Sequence, residues 1–122
     1  MDTEVKGLWL DALRSGKYPQ AAGTLKKGNG YCCLGVLCEV LGVKEWKSEL
    51  EGRFGSHMGP VDHNGQLMCE GELTNSTTWG AWLSDNIITR IGLSHKAQTE
   101  LSSMNDGGQD FNQIADYIEK NF

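Results

Sequence analysis

Side chains that could bind a small anionic ligand are concentrated in three short segments of this 122-residue chain. Cations bind phosphate groups, an aromatic ring stacks on a base, and amides or carboxylates hydrogen-bond to ribose and base edges. The candidates are Arg14, Lys17, Tyr18, Gln20, Tyr31, Asn105 and Asp106. Together these residue types are the ones that recognition of a nucleotide-like ligand requires. The alternative is that the tyrosines belong to the core and the charges to a solvated surface.

A second set of residues has the composition of a metal site but not the spacing. The set comprises Cys32, Cys33, Cys38, Cys69, His57 and His63. Structural zinc sites pair their ligands across two to four intervening residues, whereas Cys32 and Cys33 are adjacent and would point to opposite faces of a strand. Cysteine in an apolar run behaves as a small hydrophobic residue. We therefore expect the cysteines in the core, with no metal and no cofactor.

Signatures of catalysis are missing from the sequence. His57, His63 and His95 lie outside the motifs of hydrolases, kinases and phosphate-binding loops. A calcium loop that began at Asp106 would need a glutamate at its twelfth position, which is Tyr117. These observations predict a binding protein rather than an enzyme. A small enzyme that uses a cysteine with His57 or His63 remains the alternative.

The composition favours a single globular domain over residues 1–122. The net charge of −5 disfavours a long nucleic acid as partner, because binding to a duplex needs a basic surface. No apolar run is long enough to cross a membrane, so we expect no membrane partner. The segment 1–6 lacks the basic and apolar parts of a signal peptide. We expect the protein to remain in the reducing compartment where it is made, with no disulfides.

The periodicity of apolar residues predicts an α+β fold, in which about four short helices pack with a small antiparallel β-hairpin sheet. Apolar residues recur at helical spacing, or fill a short run that ends at a glycine, in five segments. These segments are 4–14, 33–41, 79–91, 94–104 and 110–122. In the last segment Asp110 and Gln113 have the spacing of a capping box.

The remaining segments predict a hairpin and a long connection. Segments 24–27 and 31–33 flank a predicted three-residue turn at 28–30, which favours two antiparallel strands. Residues 44–76 are predicted to form a long glycine-rich loop or insertion. Weak alternation within it indicates one strand at 66–73.

Both ends of the chain resemble a family of small, uncharacterised phage and prophage proteins. The resemblance rests on four segments: WLDALRSGKYPQ at 9–20, YCCLGVLC at 31–38, MND at 104–106 and FNQIADYIE at 111–119. Met104 replaces the leucine that the family usually has before Asn-Asp. Segment 43–76 has no counterpart in this signature, so the resemblance covers the two ends and not the middle.

What this resemblance implies is a phage accessory protein acting in the host cytoplasm. By analogy with proteins that counter the Thoeris and CBASS systems, it would sequester a small nucleotide-type immune signal. Arg14 and Lys17 would hold phosphates, Tyr18 or Tyr31 would stack on a base, and Asn105 with Asp106 would bond to polar edges. A homo-oligomer is expected. The alternatives are a module that occupies a host enzyme, with 44–76 as its contact, and an enzyme that degrades such a signal.

Overall fold

The computed structural model describes residues 1–48, 58–69 and 82–122. The helices in these ranges are α1 (Thr3–Arg14), α2 (Cys33–Leu41), α3 (Asp85–Ile91), α4 (His95–Asp106) and α5 (Phe111–Asn121). The strands form two antiparallel pairs, β1 (Lys26–Lys27) with β2 (Gly30–Tyr31) and β3 (Glu45–Ser48) with β4 (Met58–Val61). The α+β prediction is confirmed, with five helices in the described ranges where about four were expected.

Helix α2 lies at the centre of the fold because every residue of its sequence except Glu39 is apolar. Six consecutive residues from its start, Cys33 to Cys38, are buried. Helices α1 and α4 pack against α2, and α5 packs against α1 and α4. The indole N–H of Trp9 in α1 donates a hydrogen bond to the Cys33 carbonyl at 2.9 Å. The helix predicted at 33–41 is therefore confirmed, and it ends at Gly42 with a φ of 93°, which favours glycine.

Side-chain caps define where the later helices begin. The Asp110 carboxylate accepts from the Gln113 backbone N–H, and the Gln113 side chain accepts from the Asp110 N–H, so the predicted capping box is confirmed. The helix predicted over 79–91 begins only at Asp85 in the described residues, because the Ser84 hydroxyl caps it. Residues 79–81 lie outside the described residues. Helix α4 continues to Asp106, two residues beyond its predicted end.

The first hairpin is shorter than predicted. Lys27 pairs with Gly30, which leaves a two-residue turn at 28–29 instead of the predicted three-residue turn. Gly28 adopts a φ of 59° in this turn. Cys32 precedes α2 in extended conformation and Cys33 is the first helical residue. The expectation that both cysteines occupy a strand is therefore wrong, because the N-terminus of α2 follows directly on the hairpin.

A close approach of α2 to the preceding chain depends on one glycine. A Cβ atom added at Gly35 would lie 1.9 Å from the carbonyl oxygen of Leu25. The same carbonyl accepts a hydrogen bond from the Cys32 N–H at 3.1 Å. The hairpin can therefore pack directly on the first turn of α2 only because position 35 has no side chain.

The segment predicted as a long loop contains a second hairpin. Strands β3 and β4 pair in a register that sets Trp46 opposite Pro60 and Lys47 opposite Gly59. A proline argues against a strand in the sequence, but here the Pro60 carbonyl accepts from Met68 N–H. Within the strand predicted at 66–73, Leu67 and Cys69 each form an isolated β-bridge and not a continuous strand. Residues 70–73 lie outside the described residues. No helix within the described ranges is long and apolar enough to cross a membrane.

Candidate functional site

Asn105, near the end of α4, is a buried hydrogen-bonding centre that joins three parts of the chain. Its side-chain oxygen accepts from Gln20 Nε2 at 2.9 Å and from the Cys33 backbone N–H at 3.2 Å. Its amide nitrogen donates to the Ala21 carbonyl at 2.7 Å. The residue is only 3% exposed. Because its oxygen and nitrogen are both engaged within the fold, Asn105 forms the base of the site and positions its neighbours.

Gln20 lies above Asn105 and presents a free carbonyl oxygen. Its Nε2 donates both to Asn105 and, at 2.6 Å, to the Gln109 carbonyl. No residue in ranges 1–48, 58–69 and 82–122 donates to its Oε1. The side chain is therefore fixed by its nitrogen, which leaves the oxygen to accept from a ligand.

Asp106 completes a polar pocket of about 300 Å³. Its Oδ1 accepts from the Gly23 backbone N–H at 2.9 Å, so one carboxylate oxygen orients the group and the second has no partner among the residues described. The pocket is lined by Gln20, Ala21, Ala22, Asn105, Asp106 and Gly108. The fold thus brings three of the seven predicted residues, Gln20, Asn105 and Asp106, to one pocket.

The two predicted tyrosines pack on each other in a separate aromatic cluster. The ring centroids of Tyr18 and Tyr31 are 5.3 Å apart in an edge-to-face arrangement, and Trp46 lies 5.9 Å from Tyr31. The Lys26 ammonium lies 5.0 Å from the centroid of Tyr31 and 5.6 Å from that of Trp46. A cation over the ring occupies a face that a base would need.

Glu39 in α2 ties this aromatic cluster to the core. Its Oε1 accepts from the Trp46 indole N–H at 2.8 Å and from the Tyr31 hydroxyl at 3.2 Å. Burial, together with the Glu39 charge and hydrogen bond, raises the pKa of Tyr31 to about 12. Sequence reasoning missed Lys26, Glu39 and Trp46, since nothing in their spacing shows that the Trp46 ring lies against that of Tyr31.

The two predicted phosphate ligands lie outside the polar pocket. Arg14 forms ion pairs with Asp116 at 2.8 Å and with Glu119 at 2.7 Å, joining α1 to α5. These hydrogen bonds raise the pKa of Arg14. Lys17 is exposed, and its backbone N–H donates to Ser15 Oγ. Arg14 is therefore engaged by carboxylates, whereas Lys17 keeps a free ammonium within the described part of the chain.

The cysteines are buried within the core. Cys32, Cys33, Cys38 and Cys69 are at most 5% exposed, and none forms a disulfide. Burial raises the pKa of Cys32 to about 11 and raises those of Cys33 and Cys38 well above the ordinary value. No cluster of three metal-binding side chains occurs among the residues described, and His57 lies outside them. These surroundings favour neutral thiols that act as packing groups.

Sequence reasoning also missed an open cleft between α4 and α5. Its volume is about 610 Å³, twice that of the polar pocket. The Tyr117 hydroxyl donates to Glu100 Oε2 at 2.8 Å across it, and this bond raises the pKa of Tyr117. The signal in the sequence is polar residues four apart, Thr99 with Ser103 on α4 and Gln113 with Tyr117 on α5, which helical periodicity places in two rows.

The fold and these sites define a small α+β domain with a central apolar helix and a polar pocket at the end of α4. The chain belongs to the DUF8296 family, a domain of unknown function, whose profile matches residues 1–122. No curated protein and no solved structure matches the chain.

Proposed function

We propose that this protein binds and sequesters a small nucleotide-type signal, with the nucleoside part of the ligand in the polar pocket. The observation that carries this proposal is that two residues lining the pocket each keep a free acceptor, Gln20 Oε1 and the second oxygen of Asp106. Ribose hydroxyls and amino groups of bases are donors, so they match a pocket whose free side-chain atoms are acceptors. The fixed orientation of both side chains reduces the entropy lost on binding.

The charge of the pocket determines how a nucleotide would enter it. The Asp106 carboxylate repels phosphate, so the phosphate groups of the ligand remain outside the pocket, near solvent. Lys17 is the predicted cation that is free to meet them, because Arg14 is held by Asp116 and Glu119. Tyr18 precedes Gln20 by two residues and is half-buried. In this arrangement a base at the pocket edge contacts Tyr18 rather than Tyr31, whose ring already lies under Lys26.

The biological role that we propose rests on the resemblance of the two ends of the sequence to phage proteins. A protein of this kind in the host cytoplasm would lower the free concentration of an immune signal without altering it. Binding without turnover agrees with the amide, carboxylate and backbone groups of the described residues that line the pocket, none of which is a histidine or a cysteine. A homo-oligomer would multiply the number of sites per particle.

Calorimetry against cyclic dinucleotides, ADP-ribose and cyclic ADP-ribose tests the proposal. We expect one member of this panel to bind and to be recovered with unchanged mass. Asp106→Asn keeps an oxygen for the Gly23 N–H but replaces the free acceptor with a donor. A hydrogen bond to a charged group contributes about 1.5–3 kcal/mol, so this variant should bind at least ~10-fold more weakly.

Asp11→Asn is the matched control, because Asp11 is exposed on α1 and outside the pocket. It should bind as the unmodified protein does. Failure of every compound in the panel to bind would contradict the proposal, and so would equal affinities of Asp106→Asn and Asp11→Asn. A change in the mass of the recovered ligand would show that the protein converts the compound and does not merely sequester it.

A further inference from the structure

The cleft between α4 and α5 has the size and the walls of a second binding site. Its volume of about 610 Å³ falls within the range of small-molecule pockets. One wall carries Glu100, Ser103 and Met104 on neighbouring turns of α4, and the other carries Gln113 and Tyr117 one turn apart on α5. An aromatic ring and a thioether thus face a row of hydrogen-bonding groups.

Several polar atoms on these walls have no partner among the residues that the structure describes. Gln113 Oε1 accepts from the Asp110 N–H, which fixes the side chain and leaves Nε2 free. Tyr117 occupies only one oxygen of Glu100, so Oε1 is free as an acceptor. The side-chain amide of Gln109 also borders the cleft and is unpaired within the described ranges. Residues with free donors and residues with free acceptors therefore line the same cleft.

We infer that this cleft binds a purine ring with an exocyclic amino group, such as that of adenosine. The flat ring would pack between the Tyr117 ring and the Met104 thioether. The amino group would donate to Glu100 Oε1, and ring nitrogens would accept from Gln113 Nε2 or the Gln109 amide, because amide side chains suit the edge of adenine. The carboxylate of Glu100 disfavours an anionic group at the same place.

This site is distinct from the polar pocket, although the two lie on either side of one turn. Gln109 lines the cleft, and its carbonyl accepts from Gln20 of the polar pocket. Met104 faces the cleft and the adjacent Asn105 faces the pocket. The inference does not depend on the proposed function, and one variant in the cleft and one in the polar pocket test the two sites separately.

Methionine methyl NMR gives a reporter within the cleft. With ¹³C-methyl methionine, adenosine at millimolar concentration should shift the Met104 resonance and leave that of Met68, which is buried in the core, unchanged. The same titration with N6,N6-dimethyladenosine should produce little shift, because the ring remains but both amino donors are lost. Ser103→Leu fills the cleft from an exposed helical position and should abolish the adenosine shift. Thr89→Leu, an exposed position on α3, is the matched control and should preserve it.

The outcomes separate the two sites. If adenosine leaves the Met104 methyl unmoved, or moves it equally in the Ser103→Leu variant, the inference is wrong. If Asp106→Asn abolishes the shift while Ser103→Leu does not, adenosine binds in the polar pocket and the cleft is not its site. Retention of the shift in Asp106→Asn together with its loss in Ser103→Leu supports the cleft, whatever happens to the proposed sequestration.

Discussion

The side-chain oxygen of Asn105 accepts a hydrogen bond from the backbone N–H of Cys33, 72 positions earlier in the chain, at 3.2 Å. Cys33 is the first residue of α2, and Cys32 before it supplies no side-chain cap. The first N–H groups of a helix have no partner within the helix. Asn105 therefore provides from α4 the cap that α2 lacks, and this hydrogen bond joins the start of α2 to the last turn of α4.

Asn105→Ala should destabilise the whole domain. The change leaves the Cys33 N–H and the Ala21 carbonyl without their partner in a site that is 3% exposed. An unsatisfied buried polar group costs about 1–3 kcal/mol, so we expect a loss of roughly 2–4 kcal/mol in the free energy of unfolding. Guanidinium denaturation followed by tryptophan fluorescence measures it. Asn112→Ala, at an exposed position on α5, should change stability by less than about 0.5 kcal/mol. Equal stability of the two variants would show that Asn105 does not cap α2.

Gly35→Ala and Gly7→Ala should act in opposite directions. A Cβ at position 35 would lie 1.9 Å from the Leu25 carbonyl, whereas one at Gly7 in α1 meets nothing within 4 Å. We expect Gly35→Ala to cost more than about 3 kcal/mol, since backbone must move. Gly7→Ala should gain about 0.5–1 kcal/mol from helix propensity. Thermal unfolding by circular dichroism compares them, and a tolerated Gly35→Ala would refute the close packing of the hairpin on α2.

Stability at alkaline pH should depend on Tyr31. Burial and Glu39 raise its pKa from 10.0 to about 12 in the folded protein. The folded state therefore favours the neutral phenol. The resulting contribution to the free energy of unfolding is complete below pH 10 and is lost as the pH rises towards 12. Between pH 10 and 12 the free energy of unfolding, measured by denaturation at each pH, should fall more steeply with pH for the unmodified protein than for Tyr31→Phe. Parallel curves for the two proteins would contradict the packing of Tyr31 against Glu39.

Native thiols should resist labelling. Burial raises the pKa of Cys32, Cys33 and Cys38 and shields the sulfurs, so the reactive thiolate is scarce. A chromogenic disulfide reagent at mildly alkaline pH should react slowly with the folded protein. After denaturation it should react with all four cysteines. Asn112→Cys, which adds an exposed thiol, should react at once and serves as the positive control. Rapid labelling of the unmodified folded protein would contradict their role as core residues.

The candidate site was predictable in residue type but not in role. Gln20, Asn105 and Asp106 meet at one pocket, as a shared site required. The sequence could not show that the Asn105 side chain hydrogen-bonds within the fold. Its backbone partners, Cys33 and Ala21, lie 72 and 84 positions earlier in the chain. Arg14 has the charge of a phosphate ligand, yet α5 brings two carboxylates to it.

Local sequence determined the helices, because their signals lie within a few residues of each other. The capping box of Asp110 and Gln113 and the glycine that ends α2 each need only the chain beside them. Tertiary structure decided the second strand pair and the binding surfaces, since these depend on distant partners. Trp46 becomes part of a strand because Pro60 and the core residue Met68 lie alongside. The cleft between α4 and α5 likewise exists only once two helices have packed, and no local pattern specifies the space left between them.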